Sequence, residues 1–225
     1  MILSRRSTQS ERMDTDCIDF DDYSRCLRDL SRVNVVTLTH RPMLSWLAKH
    51  ASGDFSVLDI ACGHGDALRA IRTRFPRARL TGIDLNPWAI RAATEATDPA
   101  TGIAFVNDDA FTYRPAEKFD FIVCSQFTHH LTDAQVVALL RWLEQNADKD
   151  WFIGDLHRHI IPYLGFPILA RIALWHRFVR QDGQISIARA FRRVEWDDLL
   201  RQAGVTTQRA FVAWYMPFRL CVGTR

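Results

Sequence analysis

Residues 57–66, VLDIACGHGD, pass from a short apolar run through an acid into a Gly-x-Gly turn. Ala67, Leu68, Ala70 and Ile71 then fall on one face of a helical repeat. A strand, a tight loop and a helix N-terminus in direct succession constrain the chain to an α/β fold that brings bare backbone close to a ligand. The helix dipole at such a junction favours a negatively charged ligand group. A nucleotide-like ligand is the first expectation.

The rest of the chain repeats the alternation. Strands are predicted at 56–60, 79–84, 103–106, 119–124 and 151–155, the first, second and fifth ending in Asp59-Ile60, Asp84 and Asp155. Helices are predicted at 66–75, from Asn86-Pro87 to 97, and at 133–146. Asn86 is a good cap and Pro87 a good first helical residue. Strands that alternate with helices through short loops argue a doubly wound, mostly parallel sheet with every ligand loop at one edge. Residues 17–52 read as an N-terminal helical cap in two pieces, perturbed near Pro42. The expected catalytic domain covers 53–225, with a helical lid insertion at about 157–193. A helix from Val194 to about Gly204 and strands at about 205–212 and 215–223 follow, the last two as a hairpin. Residues 1–16 are polar and read as a disordered tail.

A formal net charge of +3 leaves nucleic acid binding to a local patch. The arginines at 69, 72, 74, 77 and 79 and at 189, 192 and 193 read instead as solvated faces. Cys17, Cys26, Cys62, Cys124 and Cys221 show no CxxC spacing, which suits a reduced, cytoplasmic protein with no metal centre. No run of apolar residues is long enough to span a membrane.

The acids choose among nucleotide-like ligands. A dinucleotide fingerprint needs a third glycine where Leu68 stands, and a dehydrogenase of the Tyr-x-x-x-Lys type would need that pair, which is absent. Asp59 lies four residues ahead of Gly63, where a carboxylate would repel a pyrophosphate and suits an ammonium or sulfonium. Asp84 ends the next strand, a position for accepting hydrogen bonds from a ribose diol. Asp109, beside Asp108, offers a carboxylate to an adenine amino group. Acids for an amino acid, a ribose and a base describe S-adenosylmethionine, with S-adenosylhomocysteine as its product.

Four segments in order now resemble the class I S-adenosylmethionine-dependent methyltransferases. They are Leu58-Asp59-x-Ala61-Cys62-Gly63-x-Gly65-Asp66, Gly82-Ile83-Asp84-Leu85-Asn86-Pro87, Asp108-Asp109-Ala110-Phe111, and Phe119 to Val123 with the loop Ser125 to Leu131. Alanine stands at position 61 in place of the family's usual glycine. The resemblance implies a Rossmann-like sheet of seven strands, the last antiparallel. It implies cofactor binding by Asp59, Ala61, Cys62, Gly63, Gly65, Asp84, Leu85, Asp109, Ala110 and Ser125. Further segments, Cys26 to Leu30, Asp155 to His159, Asp182 to Ser186 with Arg189-Ala190-Phe191, and Pro217 to Leu220, resemble a bacterial subgroup of small-molecule methyltransferases that accompanies polyketide-type biosynthesis. That resemblance implies phenolic or polyketide acceptors.

Methyl transfer asks the protein to position the acceptor and, where needed, to remove its proton. His129 and His130 follow the fourth strand and are the candidate bases, since imidazole suits deprotonation of a hydroxyl near neutral pH. Asp155 could orient His157 or His159. The apolar insertion suggests a hydrophobic or aromatic acceptor, with His157, His159, Tyr163 and Trp175 as contacts. Its basic edge would also suit a membrane surface or a dimer partner. The chain could be a monomer or a homodimer. O-methylation is the leading expectation, C-methylation of a quinol-like ring and cofactor binding without turnover are the alternatives. Nucleic acid is not expected as substrate, because Ser125-Gln126-Phe127-Thr128 lacks the Asn/Asp-Pro-Pro-aromatic tetrad that amino-methylating members carry.

Overall fold

The computed structural model describes residues 3–16 and 19–225; Cys17 lies outside them. Seven strands form one sheet in the order β3-β2-β1-β4-β5-β7-β6. They are β1 (Ser56–Ile60), β2 (Arg79–Asp84), β3 (Ala104–Asn107), β4 (Phe119–Ser125), β5 (Ala147–Leu156), β6 (Ala210–Tyr215) and β7 (Arg219–Thr224). The strands β1 to β5 pair in parallel, and β7 runs antiparallel between β5 and β6. The final hairpin starts later than expected, because a turn at Thr206 to Arg209 precedes β6.

The continuous apolar runs of β1, β4 and β5 follow from burial on both faces. Leu58, Ile60, Ile122, Cys124, Trp151 and Ile153 point to one core, against α6 (Asp133–Asn146) and α9 (Arg193–Ala203). Val57, Phe121, Val123 and Phe152 point to the other, against α3 (Arg41–His50) and α4 (Asp66–Arg74). Asn86 caps α5 (Pro87–Glu95) by accepting from the Trp88 amide at 2.9 Å, and Thr132 with Gln135 forms a capping box on α6.

The open edge of the sheet is roofed. α2 (Phe20–Val36) joins α7 (Ile160–Ile172) and α8 (Arg177–Arg189) through a separate cluster of Cys26, Val33, Ala170, Trp175, Phe178 and Val179. Residues 3–16 of the segment expected as a disordered tail are packed as a strap across this edge, with a short helix α1 at Arg12–Thr15. Leu3 is buried, and its carbonyl accepts from Arg158 and Arg192. Arg6 lies 3.7 Å over the Phe191 ring and donates to Asp133 and the Arg189 and Leu131 carbonyls. Asp182 accepts from the Arg12 and Met13 amides. Low hydropathy hid this order, because guanidinium and backbone groups carry the contacts. Two arginines expected on a solvated face, Arg189 and Arg192, are among those anchors.

Candidate functional site

The β1–α4 turn builds the floor of the site. Gly63 and Gly65 have φ of +51° and +75°, and Ala61 is held at +55°, a conformation in which glycine would be unstrained. The Gly63 amide donates to Asp84 Oδ2 at 2.9 Å, so the acid that ends β2 also shapes the loop after β1. Asp84 Oδ1 accepts from the Asn86 amide at 2.9 Å. Cys62 Sγ lies against the bare Gly82 backbone, packed rather than poised as a nucleophile, and burial pushes its thiol well above the usual range.

A cavity of about 530 Å³ runs along this edge. Asp59, Ala61, Cys62, Gly63, Asp84, Leu85, Asp109, Ala110 and Ser125 line it, together with His129 and His130. Gly65 is the helix cap behind that wall. Asp59 is fully buried, and its Oδ1 has no hydrogen-bond partner among the described residues. Burial, with the nearby charges of Asp66 and Asp84, holds its carboxyl well above the usual range. A buried acid without a partner fits a ligand that brings a cation. Asp109 meanwhile caps its own turn through the Phe111 amide at 2.9 Å. Asp84 and Asp109, whose carboxylates line the cavity, and the unpartnered Asp59 suit the three parts of S-adenosylmethionine.

At the far end of the cavity stands an ion-pair cluster. His129 Nδ1 lies 2.7 Å from Asp155 Oδ1, and its amide donates to Asp155 Oδ2 at 2.9 Å. Thr128 donates to the same carboxylate. On the other side His129 Nε2 lies 3.5 Å from Glu11 Oε1, which is 3.7 Å from His130 Nε2. Burial alone would push the His129 imidazolium to a lower pKa, but Asp155 and Glu11 outweigh it and raise the group to about 9. Burial opposes the charge on the two acids as well, yet the histidine holds Glu11 and Asp155 each at about 2. Acids on both sides therefore favour the imidazolium form of His129, in which it would orient and neutralise its neighbours, while His130 stays the second candidate base. Donor atoms of Glu11, His129 and His130 lie within 4.8 Å of one another, a spacing that a cation could span.

A second, apolar chamber of about 360 Å³ adjoins the first. Glu11, Met13, Leu30, Gln126, Leu156 and Ser186 line both. Of the four expected acceptor contacts, only His157 lines the chamber. His159 caps α7 and stacks on Phe218, Tyr163 gives its carbonyl to Gln184, and Trp175 packs on Phe166 in the cluster that fastens the roof. Asp155 partners His129 rather than either of those histidines, because the loop after β4 lies beside the end of β5 while the His157 amide turns to the Phe218 carbonyl. Among the described residues His157 Nδ1 and Arg219 Nε, both from residues on the chamber wall, are buried without partners.

Glu11 is the site residue that sequence reasoning missed, since it lies within the polar strap. Asn34 and His40 were missed too. They line the cavity and bond Asp66 Oδ2 at 2.9 and 2.6 Å, which ties the N-terminal helices to the start of α4. A polar residue buried on an otherwise amphipathic helix, as Asn34 is on α2, was the available signal.

A family model described as a methyltransferase domain matches residues 57–147. A trans-aconitate 2-methyltransferase of Streptomyces avermitilis is 31% identical over 96 residues, which are 41% of this chain and 31% of that protein. A demethylsterigmatocystin 6-O-methyltransferase of Aspergillus flavus is 28% identical over 171 residues, covering 74% of this chain and 41% of its own length. The chain thus spans a third to two fifths of these curated relatives. Over nearly its whole length it superposes on the plantazolicin methyltransferase BpumL, solved with a desmethylPZN analogue and SAH, at TM-score 0.64 and 16% identity, covering 90% of this chain and 95% of that one. The strand order, the acids at the ends of β1 and β2 and these similarities agree, and the chain is similar in fold and in its methyltransferase-domain motifs to the class I S-adenosylmethionine-dependent methyltransferases.

Proposed function

We propose that this protein transfers a methyl group from S-adenosylmethionine to a hydroxyl of a hydrophobic phenolic or polyketide-like small molecule. The observation that carries the reading is the shared wall between the two cavities. A polar cavity edged by Asp59, Asp84 and Asp109 meets an apolar chamber along Glu11, Gln126 and Ser186. A cofactor in the first and an acceptor in the second would face each other there. The 6-O-methyltransferase relative, matched over most of this chain, supports transfer to oxygen.

When bound, the cofactor supplies a methyl group activated by a sulfonium. Asp59 would hold its ammonium, Asp84 its ribose and Asp109 its adenine. His130, beside Glu11 and half-buried at the junction, is placed to take the proton of the acceptor hydroxyl, and the Glu11 carboxylate would stabilise the imidazolium formed. His129, fixed by Asp155, holds Glu11 in position. The roof of α2, α7 and α8 would shield the reacting groups from bulk water. His157 and Arg219 offer hydrogen bonds to a second oxygen on the acceptor.

The test is calorimetric binding of S-adenosylhomocysteine, followed by assay with labelled cofactor on a panel of phenols and hydroxylated polyketides. Product analysis by nuclear magnetic resonance should find the new methyl on oxygen. A methyl on a ring carbon would replace this reading with C-methylation. Binding of a nicotinamide dinucleotide in place of S-adenosylhomocysteine would overturn it.

A further inference from the structure

We infer that the α7 face of this protein docks on the surface of an anionic lipid bilayer, and that the acceptor enters the apolar chamber from that surface. The docking stands on the geometry below; the entry route rests also on the function proposed above.

The lid helix is built inside out. Ile160, Ile161, Leu164, Ile168 and Ile172 lie on the outer side of α7, and Leu174 follows it. Ile168 is 59% exposed, Ile172 76% and Leu174 83%. A water-facing helix normally places such side chains inward. With Leu169, seven large aliphatic groups within fifteen residues face solvent, a patch that marks an interaction surface. Across the chamber, the end of α2 and its turn expose Val35, Val36 and Leu38, and the β6–β7 turn exposes Met216.

The patch is continuous with the chamber. Ile161, Leu169 and Val36 are at once exposed and part of the chamber lining, so the chamber opens among them. Pro217 and Phe218 of the β6–β7 turn line it from the third side. An apolar molecule could pass from the patch to the shared wall without crossing water.

Charge decides what covers the patch. The stretches 30–53, 156–181 and 199–225, which give Val36, Ile161, Leu169, Pro217 and Phe218 to the chamber, contain no Asp or Glu, although Asp22 and Asp29 of α2 lie against Arg177 and His176. Their exposed charges are basic, among them Arg41, Arg171 and Arg180, with Arg177 paired to Asp22. A rim of arginines around an apolar centre matches acyl chains beneath anionic headgroups. A second copy of the chain would bring arginine against arginine. No described helix is long and apolar enough to cross a membrane, so the contact is peripheral.

Co-sedimentation of the full chain with vesicles tests this. Two compositions are needed: phosphatidylcholine alone, and phosphatidylcholine with one third phosphatidylglycerol. The wild type should sediment with the mixed vesicles and less with the neutral ones. Ile168→Glu combined with Ile172→Glu should weaken vesicle binding by roughly tenfold or more. Neither side chain lines the chamber, so S-adenosylhomocysteine binding and the far-ultraviolet circular dichroism should be unchanged. Arg171→Glu with Arg180→Glu keeps the apolar face and should abolish the preference for anionic vesicles. Wild type that stays in the supernatant with both vesicle types overturns the inference. So does a concentration-dependent dimer in sedimentation velocity that the double glutamate variant dissolves while vesicles bind neither protein. Loss of S-adenosylhomocysteine binding in the wild type would overturn the proposed function and leave the docking result standing.

Discussion

His129 Nδ1 and Asp155 Oδ1 lie 2.7 Å apart, and both residues are almost completely buried. One comes from the turn after β4 and the other from the end of β5, adjacent parallel strands. Replacing Asp155 by Asn leaves His129 a hydrogen-bond partner and removes the charge. The His129 pKa should fall, and the protein should lose about 3 kcal/mol or more of stability, because breaking a buried pair strands the other charge. A nuclear magnetic resonance titration of the His129 ring with a denaturant melt would check both effects; an unchanged titration midpoint would remove Asp155 as the cause.

Stability should depend on pH on both sides of neutrality. The folded His129 pKa is raised from 6.5 to about 9, so its contribution is fully present below about 6.5 and is lost as pH rises through 9. Glu11 and Asp155 are lowered from 4.5 and 3.8 to about 2 each, so their contributions are present above those ordinary values and are lost as pH falls toward 2. The three share one cluster, so the effects do not add. Thermal melts should be flat from about pH 5 to 6.5 and decline either side. His129→Gln should remove the alkaline decline.

Glu11 reaches the site only because the strap is packed. Glu11→Gln keeps the shape and removes the charge. Methyl transfer should fall by about 10²-fold, in the range of a lost acid–base group, with a smaller change in acceptor KM. Dialysis against a chelator should leave wild-type activity intact; restoration by one divalent ion after such a loss would instead assign Glu11, His129 and His130 to a metal.

Asp59 should couple cofactor binding to protons. Its carboxyl is pushed up by burial and then by Asp66 and Asp84, and a bound ammonium would reverse that push. Calorimetry of S-adenosylhomocysteine in buffers of different ionisation enthalpy should register proton release. Asp59→Asn should bind more weakly and release none.

Gly82 is the tightest point beneath the turn. A Cβ there would sit 2.7 Å from Leu68 Cδ1 and 2.8 Å from Cys62 Sγ. Gly82→Ala should cost about 1–3 kcal/mol of stability and shift Cys62 toward the cofactor cavity, which weakens S-adenosylhomocysteine binding. Denaturant melts and calorimetry together would separate the two effects.

The β1–α4 turn was legible in the residues because local rules fix it. Only glycine is at ease at positive φ, and strands buried on both faces read as unbroken apolar runs, so Asp59, Gly63, Gly65 and Asp84 could be placed from order and spacing. The alternation that ends in Asp84 and Asp155 likewise predicted a parallel sheet with its loops at one edge. Glu11 was not legible, since its position depends on Arg6, Arg158 and Arg189 finding carbonyls more than a hundred residues away. The partner of Asp155 was not legible either: nearness in sequence suggested His157 or His159, and sheet register delivered His129. Sequence alone determined the fold and the β1–α4 turn at the head of the sheet, because backbone conformation and strand patterning are local. Tertiary structure decided which histidine meets Asp155 and Glu11 and where the apolar chamber opens, because those depend on long-range burial and on the charges that burial brings together.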